Sequence, residues 1–426
     1  MSLGIIDNMI NEKKTIRDPI HGDIQLEGLF VELLESPEIQ RLYNIKQLGL
    51  AHLVFPGAHH TRLEHSLGVY HVASKASSLL GIDNDEKMVL TCAAMLHDIG
   101  HGPFSHTLES IVRNTLNVDH VDLSEELILG KYDISEPGEK HFINSSNVYE
   151  ILNNYGMNSS DIIDVIRGKI NKSEYLSLLL NSSIDVDQLD YLLRDAYYTG
   201  VAYGMIDIER FLQTLMIFNN TLAVEKKGIG VIENILMART LMYSSIYFHK
   251  TVRIAELMLL KAIELIPDLD PFYFFKMTDS ELLNYLKDKG VFQLEIATRL
   301  KYRKLFKQAY TLDSRLIDDS YDFMIKKLED PIFRREKEIE LENEFNIPHG
   351  HVIIDIPYPE LHVTEPRINQ TNITIIDDDN IRSFDDLTPI ANAIKLKKIP
   401  DWKMMIVTDE KHREILSKNA QKIIFS

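Results

Sequence analysis

Apolar residues recur at helical spacing over most of the first 265 positions of the chain. The most continuous apolar stretch, 88–96, runs directly into His97 and Asp98 and is followed by two glycines and a proline. This pattern predicts a buried helix that presents an imidazole and a carboxylate at its C-terminal end. A simpler interpretation is a helix terminus whose dipole stabilises a histidine. Further helices are predicted over 29–34, 37–48, 62–80, 104–117, 184–199 and 233–265, and hairpins over 15–26 and 221–231.

The pattern changes after Pro348, and short strands are predicted over 352–356, 372–376 and 404–407. We therefore expect a mainly α fold with a small C-terminal α+β appendage. The predicted regions are 1–265 with the candidate site, a helical extension at 266–347, and a small α+β region at 348–426.

Composition narrows the function classes. The chain has 426 residues and a formal net charge of −18, which disfavours non-specific binding to nucleic acid phosphates. An anionic substrate would therefore need a local cationic site. No apolar run approaches the roughly 18 residues of a membrane span, and no signal peptide is apparent. Cys92 is the single cysteine, so no intrachain disulfide is possible, and we expect a cytoplasmic protein without a membrane segment.

Histidine is concentrated in one part of the chain. Ten of the sixteen histidines lie between His21 and His120, a pattern typical of metal or acid–base chemistry. His97 and Asp98 are neighbours and can both reach one ion. On spacing alone, His65 is a weaker candidate ligand, and Asp187 is more readily interpreted as a carboxylate on a helix surface. Asp187, Tyr191 and Asp195 share one predicted helix face, as do Arg239, Tyr243 and Tyr247.

Several motifs occur together in one order. They are Asp18-Pro19-Ile20-His21-Gly22, Gln40-Arg41-Leu42, and the segments 45–49, 54–58, 62–68, 97–106 and 184–195. With these motifs the chain resembles the HD-superfamily deoxynucleoside triphosphate (dNTP) triphosphohydrolases. It is most similar to those whose vertebrate member carries a SAM domain, which is absent here. The resemblance covers roughly 12–265 and implies the helical fold of the HD domain.

The resemblance implies a metal site and an acid–base group. The implied metal ligands are His65, His97, Asp98 and Asp187. Two imidazoles and two carboxylates accept Zn, Fe, Mn or Ni, and Mg would accompany the triphosphate. An acid–base role is implied for His120, with His101 and His106 in support. For His120 the alternative is a polar loop residue.

The remaining implied residues bind substrate. Arg62, Arg239 and Lys250 are candidate phosphate clamps, although Arg239 and Lys250 could equally be solvated charges on a helix face. Tyr191 would contact the sugar and Asp195 its 3′-hydroxyl. Tyr191 and Leu48 could instead be core residues. The set of substrate-binding candidates is completed by Gln47 and Leu48 at the sugar edge, and by Tyr243 and Tyr247.

Three positions depart from the family pattern. Gln188 replaces a lysine that supplies a phosphate cation, and Tyr243 replaces a histidine. Tyr43 stands where activated members place an arginine that binds guanine, which puts activation by GTP in doubt. Glu35 and Gln40 still suit that regulatory site.

Three functions follow as hypotheses. The first is a metal-dependent hydrolase that cleaves a dNTP to deoxynucleoside and triphosphate. The second is another HD phosphohydrolase, acting on nucleoside monophosphates or cyclic nucleotides, which Gln188 favours. The third is a non-catalytic nucleotide-sensing protein. The resemblance also implies a homo-oligomer, either a dimer or a tetramer.

Overall fold

The described part of the chain is mainly helical, which confirms the predicted fold class. The computed structural model describes residues 13–105, 108, 118–136, 138–139, 141–143, 145–169, 173–267, 271–313, 319–357, 371–378, 380–396 and 402–425. Most of the helix predicted over 104–117, including His106, lies outside these residues.

The elements in chain order are as follows. The helices are α1 Leu29–Glu35, α2 Pro37–Arg41, α3 Arg62–Leu80, α4 Asn84–Leu96, α5 His120–Ile128, α6 Val148–Asn154, α7 Ser159–Ile166, α8 Glu174–Leu180, α9 Val186–Thr199, α10 Ile208–Leu212, α11 Ile229–Met242, α12 Lys250–Glu264, α13 Pro271–Phe274, α14 Asp279–Lys287, α15 Val291–Lys301, α16 Asp319–Leu328, α17 Pro331–Glu344, α18 Phe384–Leu387, α19 Pro389–Leu396 and α20 Arg413–Ile424. The strands are β1 Lys13–Asp18, β2 Gly22–Glu27, β3 Leu215–Phe218, β4 Thr221–Glu225, β5 Lys307–Asp313, β6 Val352–Asp355, β7 Thr374–Asp377, β8 Asn380–Ser383 and β9 Trp402–Thr408.

Helices α3 and α4 form as the sequence predicts. Thr61 caps α3 through a capping box with Glu64, and Gly81 ends it in the left-handed conformation at φ +67°. The side chain of Asp83 accepts from the backbone N–H groups of Asp85 and Glu86 at the start of α4. The hairpin predicted over 15–26 is also confirmed, as β1 pairs antiparallel with β2.

The helix predicted over 37–48 is wrong beyond Arg41. The chain passes through a 3₁₀ turn, and Ile45 then adopts an extended conformation. The backbone N–H of Arg62 donates to the Ile45 carbonyl at 2.9 Å, and that of Gln47 donates to the His60 carbonyl at 3.0 Å. These backbone groups pair with the segment before α3 instead of with each other, and the pairing stabilises an extended conformation in place of the predicted helix.

Two later predictions also need correction. The hairpin predicted over 221–231 is wrong in its partner strand: β4 forms, but it pairs antiparallel with the preceding strand, β3. The turn between these strands is at Asn219 and Asn220, whose φ angles are 51° and 65°. Asparagine tolerates this left-handed conformation, which two-residue hairpin turns require. The single helix predicted over 233–265 is two helices, α11 and α12, separated by a π turn at Tyr243–Tyr247.

Strand pairing crosses both predicted region boundaries. β7 pairs parallel with β4, and β9 pairs antiparallel with β5 and β6. A hydrophobic cluster joins Phe104 to Met277 and to α12, α14 and α15. The regions on either side of 265 and 347 therefore share sheets and a hydrophobic core. The division of the chain at these two positions stays a prediction. No described helix combines the length and apolar character needed to span a bilayer.

Glu38 on α2 provides a test of the packing. The backbone N–H of Val148 donates to this carboxyl at 3.4 Å and lowers its pKa, but burial has the larger effect and raises the pKa to about 7. Because the unfolded carboxyl titrates near 4.5, the folded chain binds more protons between pH 4.5 and 7, so stability falls as pH rises through that window. Glu38→Gln should remove about 3 kcal/mol of this pH dependence in urea unfolding. The exposed Glu27→Gln should leave it unchanged, and equal slopes for both variants would contradict the prediction.

Candidate metal centre

His97 follows the last residue of α4 and directs one ring nitrogen into the site. Its Nδ1 donates to the Ala94 carbonyl at 2.8 Å, so Nε2 carries the lone pair of the neutral ring. That Nε2 is buried and has no hydrogen-bond partner among the described residues. It lies 3.3 Å from Asp98 Oδ1 and 3.9 Å from Asp187 Oδ1.

His65 approaches the same point from the first turn of α3. Its Nε2 lies 3.0 Å from Asp187 Oδ1 and 4.0 Å from Asp98 Oδ2. Ligand atoms of His65, His97 and Asp98 all lie within 4.8 Å of one another. The interpretation of Asp187 as a surface carboxylate is therefore disfavoured, although its side chain keeps 28% exposure. These four residues bring together two imidazoles and two carboxylates, a donor set that fits a divalent transition metal.

The local charges also favour a cation. Burial alone raises the pKa of Asp98, but the rings of His97 and the Arg62 guanidinium outweigh it and hold that pKa well below its usual value. Burial likewise raises the pKa of Asp187, but the hydrogen bond with His65 and the charge of that ring outweigh burial and hold the pKa below its usual value. Burial lowers the pKa of His65, but hydrogen bonds to Asp187 and Asp190 raise it to about 10. The carboxylates are thus ionised, and the site attracts positive charge.

His101 and His120 form a second imidazole pair beside Asp98. Their rings stack with centroids 3.9 Å apart and 13° between planes, and His101 Nε2 lies 3.3 Å from Asp98 Oδ1. Burial, followed by the charges of Arg62 and His120, lowers the pKa of His101 well below its usual value. His120 begins α5, so its alternative assignment to a loop is wrong.

Gly100 allows α5 to approach the His97–Asp98 segment. A Cβ at this position would lie 2.2 Å from the His120 carbonyl oxygen and 2.5 Å from the Ser124 nitrogen. The Ser124 hydroxyl donates to the His97 carbonyl at 3.0 Å and accepts from the Gly100 N–H at 2.9 Å. These contacts fix His120 beside His101.

Four predicted substrate residues come together next to His65. The Tyr191 ring lies 6.5 Å from that of His65 and 6.1 Å from that of Tyr247. The Tyr247 hydroxyl donates to Asp195 Oδ2 at 2.6 Å, and Tyr243 lies against Tyr247 at 4.8 Å. The π turn at Tyr243–Tyr247 thus places Tyr247 against Tyr191 and Asp195 of α9, with Tyr243 packed on Tyr247.

The remaining predicted residues lie in different surroundings. Arg62 binds Asp98 and donates from Nε to Ser105 at 2.9 Å, while its buried Nη2 has no partner among the described residues. Gln47 Oε1 is likewise buried without a described partner. Leu48 is partly buried and packs against the main core, which agrees with its alternative assignment as a core residue.

Arg239 and Lys250 are not both surface cations. Arg239 is 1% exposed and donates to the Ser183 carbonyl at 2.7 Å and to Gln188 Oε1 at 3.1 Å, so its assignment to a solvated helix face is wrong. The Lys250 ammonium lies 5.6 Å from the centre of the Trp402 ring. Phosphate binding by either side chain stays a prediction.

Sequence reasoning missed several groups that shape the site. Arg41 donates to the carbonyls of Ile99 and His101 at 2.8 and 2.7 Å. Asp279 of α14 accepts from the backbone N–H groups of Phe104 and Lys46, both at 3.0 Å. Arg41 belongs to a motif noted above, whereas nothing in the sequence around Asp279 signals its contact.

Two family models match the chain. One, described as the HD domain, matches residues 62–195, and the other, described as the HD associated region, matches residues 206–425. The chain belongs to the HD-domain family. The first matched region ends within α9, and the second begins just before α10.

Similar proteins align with most of this HD-domain chain. It is 35% identical over 420 residues to the uncharacterized protein MJ1154 of Methanocaldococcus jannaschii, covering 96% of this chain and 82% of that protein. It is 28% identical to the deoxynucleoside triphosphate triphosphohydrolase SAMHD1 of Homo sapiens over 72% of this chain, and spans about half (53%) of that protein. A hypothetical protein from Aquifex aeolicus has a crystal structure with a TM-score of 0.72 and 28% identity, covering 97% of this chain and 100% of that chain.

Gly68 on α3 gives a test of how tightly the site is packed. A Cβ there would lie 1.8 Å from Asp190 Oδ1 and 2.5 Å from Arg194 Nη2. Gly68→Ala should therefore cost about 3 kcal/mol of unfolding free energy. A Cβ added at the exposed Gly230 of α11 would meet no atom within 4 Å, so Gly230→Ala should raise the unfolding free energy by about 0.5–1 kcal/mol. Urea unfolding of both variants measures the contrast, and a tolerated Gly68→Ala would show that the buried contacts are loose.

Proposed function

We propose that this HD-family phosphohydrolase hydrolyses dNTPs to a deoxynucleoside and triphosphate. The observation that carries the proposal is the convergence of His65, His97, Asp98 and Asp187 beside the Tyr191–Tyr247–Asp195 group. One group suits a cation and phosphate, and the other offers aromatic rings and a carboxylate suited to a nucleoside. The similarity to a named dNTP triphosphohydrolase supports the same substrate class.

The four metal-site residues would hold one divalent cation, of which Zn, Fe, Mn and Ni all suit the donor set. When bound, such a cation acts as a Lewis acid at a phosphoryl oxygen and makes water a stronger acid. Mg would accompany the triphosphate as part of the substrate. Arg62 holds Asp98 through its Nη1 and keeps its Nη2 available for a phosphate oxygen.

His120 is the proposed proton donor to the leaving 5′-oxygen. Its ring stacks on His101, which burial and neighbouring charge keep neutral. An imidazole suits this role because its unperturbed pKa lies near neutrality, where a general acid works best. His101 positions the ring, and the same role is proposed for His106. Tyr191, Tyr243 and Tyr247 would surround the nucleoside, Asp195 would accept from the sugar hydroxyl, and Gln47 and Leu48 would line its edge.

A second candidate rests on Gln188. This residue replaces a cationic side chain and accepts from Arg239, so Arg239 already has an internal partner. Weaker phosphate binding would favour a nucleoside monophosphate or a cyclic nucleotide. A non-catalytic nucleotide sensor is the less favoured alternative, because the approach of His65 and His97 to Asp98 and Asp187, with His120 stacked on His101, suits catalysis.

The decisive experiment is a product assay. Purified protein is loaded separately with Mn²⁺, Fe²⁺, Ni²⁺ or Zn²⁺ and supplied with the four dNTPs, dNMPs and cyclic nucleotides, with and without GTP. Inorganic triphosphate together with deoxynucleoside supports the proposal. Orthophosphate from monophosphates, or an opened cyclic nucleotide, supports the second candidate. Bound nucleotide without turnover supports a sensor.

We also propose a cytoplasmic homo-oligomer, a dimer or a tetramer. The family resemblance supports the assembly, and a single buried cysteine suits a reducing compartment. Tyr43 is 63% exposed, which leaves a surface where related chains carry an arginine. Light scattering with and without dNTP measures the assembly, and a monomer under all conditions would contradict it.

A further inference from the structure

Asp190 lies at the centre of a buried network behind the metal site. It is fully buried on α9, three residues after Asp187. Its Oδ2 accepts from His65 Nδ1 at 2.8 Å, and its Oδ1 accepts from His21 Nε2 at 2.7 Å. Because an ionised carboxylate can only accept, both ring nitrogens carry hydrogen. Nδ1 of His65 is thereby committed to Asp190, and Nε2 is left for a cation.

Arg194 fixes the orientation of Asp190. Its Nε and Nη2 donate to the two carboxylate oxygens, both at 2.9 Å, in the bidentate geometry typical of strong pairs. Its Nη1 donates to Asp18 Oδ2 at 2.7 Å. The other oxygen of Asp18 accepts from the backbone N–H groups of Ile20 and His21 at 2.8 Å. Asp190 therefore accepts four hydrogen bonds and cannot rotate without breaking some of them.

The network gives a role to the Asp18-Pro19-Ile20-His21-Gly22 motif. The turn places His21 so that its Nε2 meets Asp190, 169 residues away along the chain. On its other side, His21 lines a cavity of about 530 Å³ and stacks on His71 with ring centroids 5.1 Å apart. His21 is thus the member of the network that can be replaced by a ring of similar size with little repacking.

We propose that Asp190 and His21 are positioning residues for the metal ligand His65. Asp190 holds the ring so that Nε2 faces the cation, and His21 holds Asp190. A carboxylate behind a ligating imidazole raises the basicity of that ligand and fixes its tautomer. The inference rests on the metal site of the proposed function but is independent of the substrate.

The test is a Co²⁺ titration of the full, metal-free chain, followed by calorimetry and visible absorption without nucleotide. His21→Phe keeps an aromatic ring but loses the donor, and should raise the Kd for Co²⁺ about tenfold. His21→Gln can still donate to Asp190 and should restore the Kd to within about twofold of the original chain. The matched control is His71→Phe on the same cavity wall, which should leave the Kd unchanged.

Asp190→Asn provides the second variant. It should raise the Kd by about 10–100-fold and change the Co²⁺ absorption bands, since the ring of His65 loses its anionic partner. A Kd for His21→Phe equal to that of His71→Phe would overturn the role of His21. Lower melting temperatures of the metal-free variants with an unchanged Kd would assign the network to stability alone. A chain that binds Co²⁺ in this manner but cleaves no dNTP would refute the proposed function and leave the positioning role intact.

Discussion

Asp98→Ala is expected to abolish both bound metal and turnover. The change removes a ligand oxygen that lies 3.3 Å from His97 Nε2, and it leaves the buried Arg62 guanidinium without its carboxylate partner. We expect metal content to fall from one ion per chain to background and kcat/KM to fall by at least about 10³-fold. Elemental analysis of dialysed protein and the product assay measure the two effects.

A matched control separates the site from general loss of acidic charge. Asp161 is an exposed carboxylate in the first turn of α7, and Asp161→Ala should retain metal and rate. Asp98→Asn and His97→Ala test the same prediction if Asp98→Ala folds poorly. Full metal content in soluble Asp98→Asn or His97→Ala would show that the cation is held elsewhere.

His120→Ala is expected to separate chemistry from metal binding. We expect metal content to stay near that of the original chain while kcat falls by about 10²–10⁴-fold, the usual contribution of a general acid. The physical reason is that His120 contacts His101 by ring stacking, whereas His65 and His97 approach Asp98 and Asp187 from elsewhere.

The control for this variant is His71→Ala, which alters a histidine outside the proposed machinery. Unchanged activity of His120→Ala would remove the acid–base role. A loss of metal would mean that His120 is a ligand, because Asp98, His101 and His120 form a second group with the spacing of a metal site.

Local patterns correctly predicted the helices that carry the ligands. The apolar run before His97 becomes α4, and Asp187, Tyr191 and Asp195 share the face of α9 that meets the site. These features depend on helical periodicity and capping, which act within a few residues. The same local reasoning failed at the π turn and at the Asn219–Asn220 turn, where tertiary contacts and rare backbone conformations decide the path.

The sequence by itself determined that an imidazole–carboxylate pair stands at the end of a buried helix, because periodicity and helix-ending residues are local. The tertiary structure decided which group each polar atom meets. Asp190 reaches His65 across 125 residues, and Asp279 reaches Phe104 across 175. Such contacts form only when buried polar groups from distant elements satisfy one another's hydrogen bonds during packing, and no neighbouring residue in the sequence signals the partner.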